Sequence, residues 1–403
     1  MDKGRVEHHE GNNSKSNLRP VAVIGVGSTS FGRLSGQDVV SMAVEACRDA
    51  MIDGSITKDL IQSLYLGNFA TERLSNQGAL APIVAGRLGM TGIPATKVEG
   101  ACASAGIAFR HGYLTVAAGL HDFVLVVGTE KMTGIGTGEV TAALSTAGDE
   151  ILEMNSGLTF PGAFAMIMEQ HMSKWGTTRE QIAMVSVKNH DNGVTNEKAQ
   201  FRKRTDLEEV MTSRFVAEPI RLFDCPPISD GAAAAVLCPL EFASQFNRQP
   251  VKILGSGHAS GPAQLSQMAD LTSFSASVKA AQEAYGMSGL TPSDIDFAEV
   301  HDCFTIAEIV DSEDLGFFEK GKGVQAVREG KTKLNSEISI NPSGGLKSKG
   351  HPIGATGVGQ VVEVFDQLTG KAGERTVKNA KIGLTQNFGA TGASCAVHIF
   401  QSV

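Results

Sequence analysis

The feature that most constrains this chain is that its order of elements runs twice. "VAVIGVG" (Val21–Gly27) reads as a buried strand, and an amphipathic helix follows over about Gln37–Met51. Next come a second apolar run, "LYLGNF" (Leu64–Phe69), an Ala/Gly-rich helix from Cys102 to about Leu120, and the strand "DFVLVVGTE" (Asp122–Glu130). The order returns at "VKILGSG" (Val251–Gly257), with a helix over about Thr272–Tyr285 and then "DFAEVHDCF" (Asp296–Phe304). "GGLKSKGHPIGATGVGQVVEVFDQL" supplies the second Gly-rich helix, and "KIGLTQNFGATGASCAVHIF" closes with two strands. Matched order with weak identity is a repeat at domain scale. Strands alternating with helices predict α/β layering with largely parallel, buried strands. If the halves pack as a pseudo-dimer, their Gly-rich helix starts face each other, one carrying Cys102 and the other His351.

The expected division is a flexible polar tail over 1–18, a first half over 19–248 and a second half over 249–403. Between Lys131 and about Leu222 the pattern breaks into "MTGIGTGEVTAAL", "FPGAFAMIMEQHMSKWG" and "KAQFRKR". This stretch reads as an insertion folded on the first half, where a substrate lid would sit.

A chain of 403 residues with a net charge of −8 is a poor partner for nucleic acid or an anionic membrane. Its six cysteines lack paired spacing, so a reducing cytoplasm suits them better than a disulfide framework. Without CxxC or HExxH spacing, no zinc site is expected, and no apolar run reaches membrane-spanning length. "GVGSTSFG" is too long for a dinucleotide fingerprint, and "GLKSKGHP" lacks the ending of a phosphate loop. Both read as tight turns.

Cys102 lies in "EGACASAGIAF", at a helix start among residues small enough for close approach. A helix N-terminus favours the thiolate, so this position predicts a lowered thiol pKa. Cys47, Cys225, Cys238 and Cys395 lie within or beside apolar elements and read as structural. In "HDCF", alternation along a strand end would put His301 and Cys303 on one side. His351, between Gly350 and Pro352, sits at the second helix start, available to take a proton from a nearby thiol. "QNFGATGAS" is a turn of small residues whose N–H groups could hold an oxyanion.

"CAS" at a helix start, "HDCF", "GHPIGATG" and a last glycine turn, in this order, resemble a thiolase. The match is to the sterol-carrier-protein-2-like and archaeal-type branch. The resemblance runs from about Val21 to Phe400 and includes "VKNHDNGVTNEKAQF" and "ISDGAAAAV". It implies a five-layered α-β-α-β-α fold of two similar halves, a homodimer or tetramer, and acyl-CoA and CoA as substrates with no further cofactor. It also implies the roles. Cys102 becomes the acyl-enzyme, His351 deprotonates it, and Cys303 moves the α-carbon proton. His301 and His351 hold the thioester oxygen, while the backbone N–H groups of Cys102 and Gly389 form a second oxyanion hole. The final turn lacks the second cysteine of many thiolases, and in the HDCF branch Cys303 takes that part. A small zinc-ribbon and OB-fold partner protein is a further implication.

Two other readings stay open at this point: a ketoacyl or hydroxymethylglutaryl synthase-type condensing enzyme, and a catalytically silent lipid-binding scaffold. Phe164 and Met166 are candidates to line an acyl pocket, or plain core. Arg202, Lys203 and Arg204 form the only dense basic cluster, and so the candidate site for the CoA phosphates.

Overall fold

The computed structural model describes residues 18–246 and 249–403. All but the last residue of the expected tail, and the expected boundary at 248, lie outside the described residues.

Each half contributes five strands to one ten-stranded sheet. The first half supplies β1 (Val21–Ser28), β2 (Ser63–Gly67), β3 (Ala95–Val98), β4 (Val124–Glu130) and, after the insertion with its small hairpin β5 (Phe215–Ala217) and β6 (Ile220–Arg221), β7 (Gly231–Pro239). The second supplies β8 (Val251–Ser260), β9 (Phe297–Glu299), β10 (Ser339–Ile340), β11 (Ile382–Gly389) and β12 (Ser394–Ser402). The order β10-β9-β11-β12-β8-β1-β7-β4-β2-β3 reads alike from either end, and the halves meet where β1 runs antiparallel to β8. The repeat in the sequence is therefore a repeat in space.

The expectation of a largely parallel sheet needs correction. β2 is parallel to β3 and β4, and β9 is parallel to β10 and β11. The remaining pairings in the sheet, which involve β1, β7, β8 and β12, are antiparallel. Apolar runs buried on both faces look the same in either direction, so the sequence pattern carried no sign of it.

Helices cover the outer faces, and two helices run through the middle. Val39–Asp53 opens with a capping box between Asp38 and Ser41 and buries Val40, Ala43, Val44 and Cys47 in the outer core of the first half. Ser275–Ser288 is its counterpart and packs on β8 and β12. The central helices, Ser104–Ala117 and Thr356–Leu368, pack on each other within a core that draws on both halves: Val21, Phe109, Val126, Val358, Val361 and Phe400. Outer helices, strands, central helices, strands and outer helices make the five layers.

The insertion, expected to fold on the first half, is instead fastened to the second by the helix Arg179–Gly193. Its buried Lys188 bonds the carbonyl of Ile340 at 2.7 Å and pairs with Glu308 at 3.0 Å. Asn189 bonds Asp302 at 2.7 Å and Glu308 at 2.8 Å, and Asn192 and Asn196 donate to the carbonyls of Asn341 and Ser343. The polar motif "VKNHDNGVTN" is thus a tether. It holds the segments that carry His301, Cys303 and His351.

Candidate active site

Cys102 sits in a single 3₁₀ turn, Ala101–Ala103, one step ahead of the helix at Ser104. Ala101 takes φ 51°, a left-handed conformation that a residue with a Cβ adopts only under constraint. Ala390, in the turn after β11, has φ 54°, and its backbone N–H reaches the Cys102 sulfur. Between them, Gly389 passes so close to the first half that a Cβ there would lie 2.2 Å from the Gly100 carbonyl oxygen. The turn from the second half therefore closes directly over the nucleophile's turn. Its N–H at the sulfur is that of Ala390, one residue beyond Gly389.

His301, Asp302 and Cys303 follow β9 but lie outside it, in a tight loop before the helix Thr305–Asp314. The strand has ended at Glu299, so alternation is not what aims His301 and Cys303. Asp302 does that: its carboxylate accepts from the Leu346 N–H at 2.7 Å and from Asn189 at 2.7 Å. The buried Lys347 ammonium donates to the carbonyls of Cys303 (2.8 Å) and Asp224 (2.6 Å). His351 follows Gly350, which has φ 112°, and its Nδ1 lies 2.7 Å from the Thr356 hydroxyl. Glu130, at the end of β4, accepts from the N–H groups of Phe69, Ala70 and Gly354 and so ties the His351 loop to the first half.

These supports bring one donor atom from each of Cys102, His301 and His351 within 4.8 Å of one another. They are sulfur and imidazole donors of the kind that also hold zinc. The imidazoles meet edge to face, with ring centroids 5.0 Å apart. Cys303 is buried and close enough to Cys102 that each thiolate would oppose the other.

Burial governs the protonation states. It pushes the Cys102 thiol up to about 12, and the Ala390 N–H recovers only part of that. The expected lowering at a helix start is therefore not what this turn gives: Cys102 is half-buried, and the solvation its thiolate loses outweighs the few N–H groups that face it. Burial and the nearby Lys347 push His351 down to about 3, and His301 is held well below the usual imidazole range. Cys303 is raised well above an ordinary thiol, by burial and then by Cys102. At neutral pH the site holds two thiols and two neutral imidazoles.

Comparison with known proteins gives this geometry its family. Residues 21–241 match the thiolase N-terminal domain, and residues 257–402 match the thiolase C-terminal domain-like family. The chain belongs to the thiolase family. An acetyl-CoA acetyltransferase of Methanothermobacter thermautotrophicus is 47% identical over 95% of this chain and 100% of its own. Sterol carrier protein 2 of Bos taurus is 36% identical over 94% of this chain and 72% of its own length. A solved structure titled Ltp2-ChsH2(DUF35) aldolase superposes with a TM-score of 0.81 over 95% of this chain and 98% of that one; at 24% identity this shows the fold alone. The protein is a thiolase, an acyltransferase.

Other expected positions of this thiolase fare differently. Phe164 and Met166 lie two apart on the helix Phe160–Trp175 and so face opposite ways. Phe164 is fully buried, stacked on Phe304 at 4.5 Å between the rings and near Phe388, which itself touches the His301 ring. Met166 is exposed on an outer groove of about 480 Å³ beside Glu169 and Glu218. Phe164 thus faces the aromatic cluster beside His301, and Met166 faces the outer groove. Arg202, Lys203 and Arg204 are exposed, and the latter two rim a cavity of about 310 Å³ whose wall includes His190, Cys225 and Lys347. Cys47, Cys238 and Cys395 are buried and raised, as structural thiols are. No described helix is long and apolar enough to cross a membrane.

Proposed function

We propose that this thiolase cleaves a 3-oxoacyl-CoA with CoA, or runs the reverse condensation, through an acyl group carried on Cys102. The convergence of Cys102, His301 and His351 within 4.8 Å carries the reading. His351 takes the Cys102 proton as the sulfur attacks the 3-oxo carbon. The bond between carbons 2 and 3 breaks, and its electron pair passes to the thioester enolate of the departing acyl-CoA. His301 and the now protonated His351 hold that enolate oxygen, and the Cys303 thiol protonates carbon 2. CoA then gives its thiol proton to the Cys303 thiolate and attacks the acyl-Cys102 carbonyl. Cys102 leaves with the proton that His351 returns. The raised pKa of Cys303 suits a group that must arrive protonated.

A thiolase rather than a condensing enzyme of the synthase type is favoured by Cys303, a buried second thiol two residues from His301, although its sulfur lies outside the cluster formed by Cys102, His301 and His351. The backbone N–H groups of Cys102 and Gly389 serve the tetrahedral intermediates, while that of Ala390 stays on the Cys102 sulfur. The cavity under Lys203 and Arg204 supports binding of the CoA phosphates there. The outer edge of β3, at the end of the sheet, supports pairing with a second copy. Six unpaired cysteines fit a reducing cytoplasm. An accessory partner protein belongs to this proposal too. The deciding experiment is rapid mixing with acetoacetyl-CoA, with and without CoA. Acylation of Cys102 followed by CoA-dependent release is expected, and thiolysis without any acyl-Cys102 would end the reading.

A further inference from the structure

Asn387, near the end of β11, has no place in the roles given so far, yet it touches three of the segments that build the site. Its Oδ1 accepts from the Gly106 N–H at 3.2 Å, in the first turn of the central helix. Its Nδ2 donates to the Cys102 carbonyl at 2.9 Å. The same Nδ2 faces His301 Nδ1 at 3.1 Å. An amide side chain can be placed either way round, but here two backbone groups decide it. The Gly106 N–H can only donate and the Cys102 carbonyl can only accept, so oxygen faces the first and nitrogen the second. The two hydrogens on Nδ2 then point at the Cys102 carbonyl and at His301 Nδ1.

We propose that Asn387 is a positioning residue that fixes the tautomer of His301, with Nδ1 as acceptor and the proton on Nε2, so that Nε2–H is the donor offered to the substrate's thioester oxygen. His301 Nε2 is buried and has no partner among the described residues, the state of a donor whose acceptor is a ligand. Burial, His351 and Lys347 keep the ring neutral, so one nitrogen has a proton and the other does not. With the opposite tautomer, a bare lone pair would face the developing enolate and repel it. His351 is bound differently, through Nδ1 to the Thr356 hydroxyl, and no amide donor constrains it. The two imidazoles are therefore not interchangeable: His301 stands as a donor from the outset, whereas His351 becomes one only after taking the Cys102 proton. The sequence reading passed over Asn387 because an asparagine near a glycine turn looks like part of the turn.

This inference deepens the thiolase reading and rests on it for the identity of the oxygen, but the tautomer can be measured without substrate. Protein labelled with ¹⁵N-histidine is examined by NMR, with the His301 signal identified by its loss in His301→Gln. Wild type is expected to show Nε2–H, and an Nδ1–H signal there would overturn the proposal whatever the variants do. In Asn387→Asp the new carboxylate accepts from Nδ1–H instead, so the proton should move to Nδ1. The kcat for carbon–carbon cleavage should then fall 10²–10³-fold, as for a lost oxyanion donor, with KM within a few-fold. The near-isosteric Asn387→Leu should lose the tautomer preference without reversing it. An Asn387→Asp protein that keeps Nε2–H and cleaves at a near-normal rate would also overturn the proposal. An Nε2–H signal in a wild type that cleaves no 3-oxoacyl-CoA would instead count against the thiolase reading alone.

Discussion

Gly106 and Gly357 lie against each other where the two central helices cross. A Cβ on Gly357 would stand 2.3 Å from the Gly106 amide nitrogen and 2.3 Å from Asn387 Oδ1, and one on Gly106 would stand 2.9 Å from that same oxygen. The first helix begins just after Cys102 and the second just after His351, so this contact sets how far apart the nucleophile and its base can be.

Gly357→Ala is therefore expected to separate the helices rather than fill a gap. Overpacking of this kind costs roughly 1–3 kcal/mol or more. The blocking atoms here are backbone and a bound amide, which cannot swing away. Thermal unfolding should shift downward by several degrees and thiolysis should be largely lost. Gly286→Ala is the control: it lies inside the helix Ser275–Ser288 with open space where its Cβ would go. That change should stabilise by about 0.5–1 kcal/mol and leave activity intact.

Cys303→Ala separates the two halves of the chemistry. Single-turnover acylation of Cys102 from acyl-CoA should persist, while the carbon–carbon step slows by about 10²–10⁴-fold. Cys102→Ala should abolish both. Steady-state thiolysis within a few-fold of wild type in Cys303→Ala would make Cys303 a packing residue.

Neutralising Arg202, Lys203 and Arg204 together should raise the KM for CoA and leave kcat nearly unchanged. The difference from wild type should shrink as salt rises, because exposed charges are screened. A KM equal to that of wild type at low salt would remove the cluster from the CoA site.

His398 gives a pH test away from the chemistry. It is buried between the Ser256 hydroxyl and the Gly106 carbonyl and is pushed down to about 3, chiefly by burial. The unfolded chain takes up this proton near pH 6.5 and the folded one does not, so the residue's contribution is complete above 6.5 and declines as pH falls toward 3. In His398→Gln that decline is absent. The stability difference between wild type and variant, from urea midpoints, should fall by about 1.2 kcal/mol between pH 6 and 5. A difference that stays flat across that interval would show His398 to be protonated in the fold.

What could be read ahead of the structure was what depends on order along the chain. The repeat, the two small-residue helix starts and the reactive residues at them are local signals, and the pseudo-symmetry of the halves turned them into a prediction of contact between Cys102 and His351. The supports were not legible. Lys347, Asn189, Asp302 and Asn387 act across separations of tens to hundreds of residues, and each belongs to a type that is ordinary in loops and on surfaces. Strand direction was missed because burial on both faces erases the alternation that would reveal it. The direction of the Cys102 shift was not legible because a helix start can be recognised in a sequence, whereas the segments that pack over it from the second half cannot. Phe164 and Met166 were grouped by composition, and helical geometry sends them apart.

The matching ends of the sheet have one more consequence. Corresponding positions in the two halves carry different reactive groups: a thiol before Ser104–Ala117, an imidazole before Thr356–Leu368. Two identical copies of either half, joined about the same axis, would set sulfur against sulfur or imidazole against imidazole. At those two positions neither pairing sets a thiol against an imidazole. A covalent tandem lets the two copies diverge while still being made in equal numbers and always meeting. The linkage of the halves in one chain is thus what allows a symmetric scaffold to hold an asymmetric reaction.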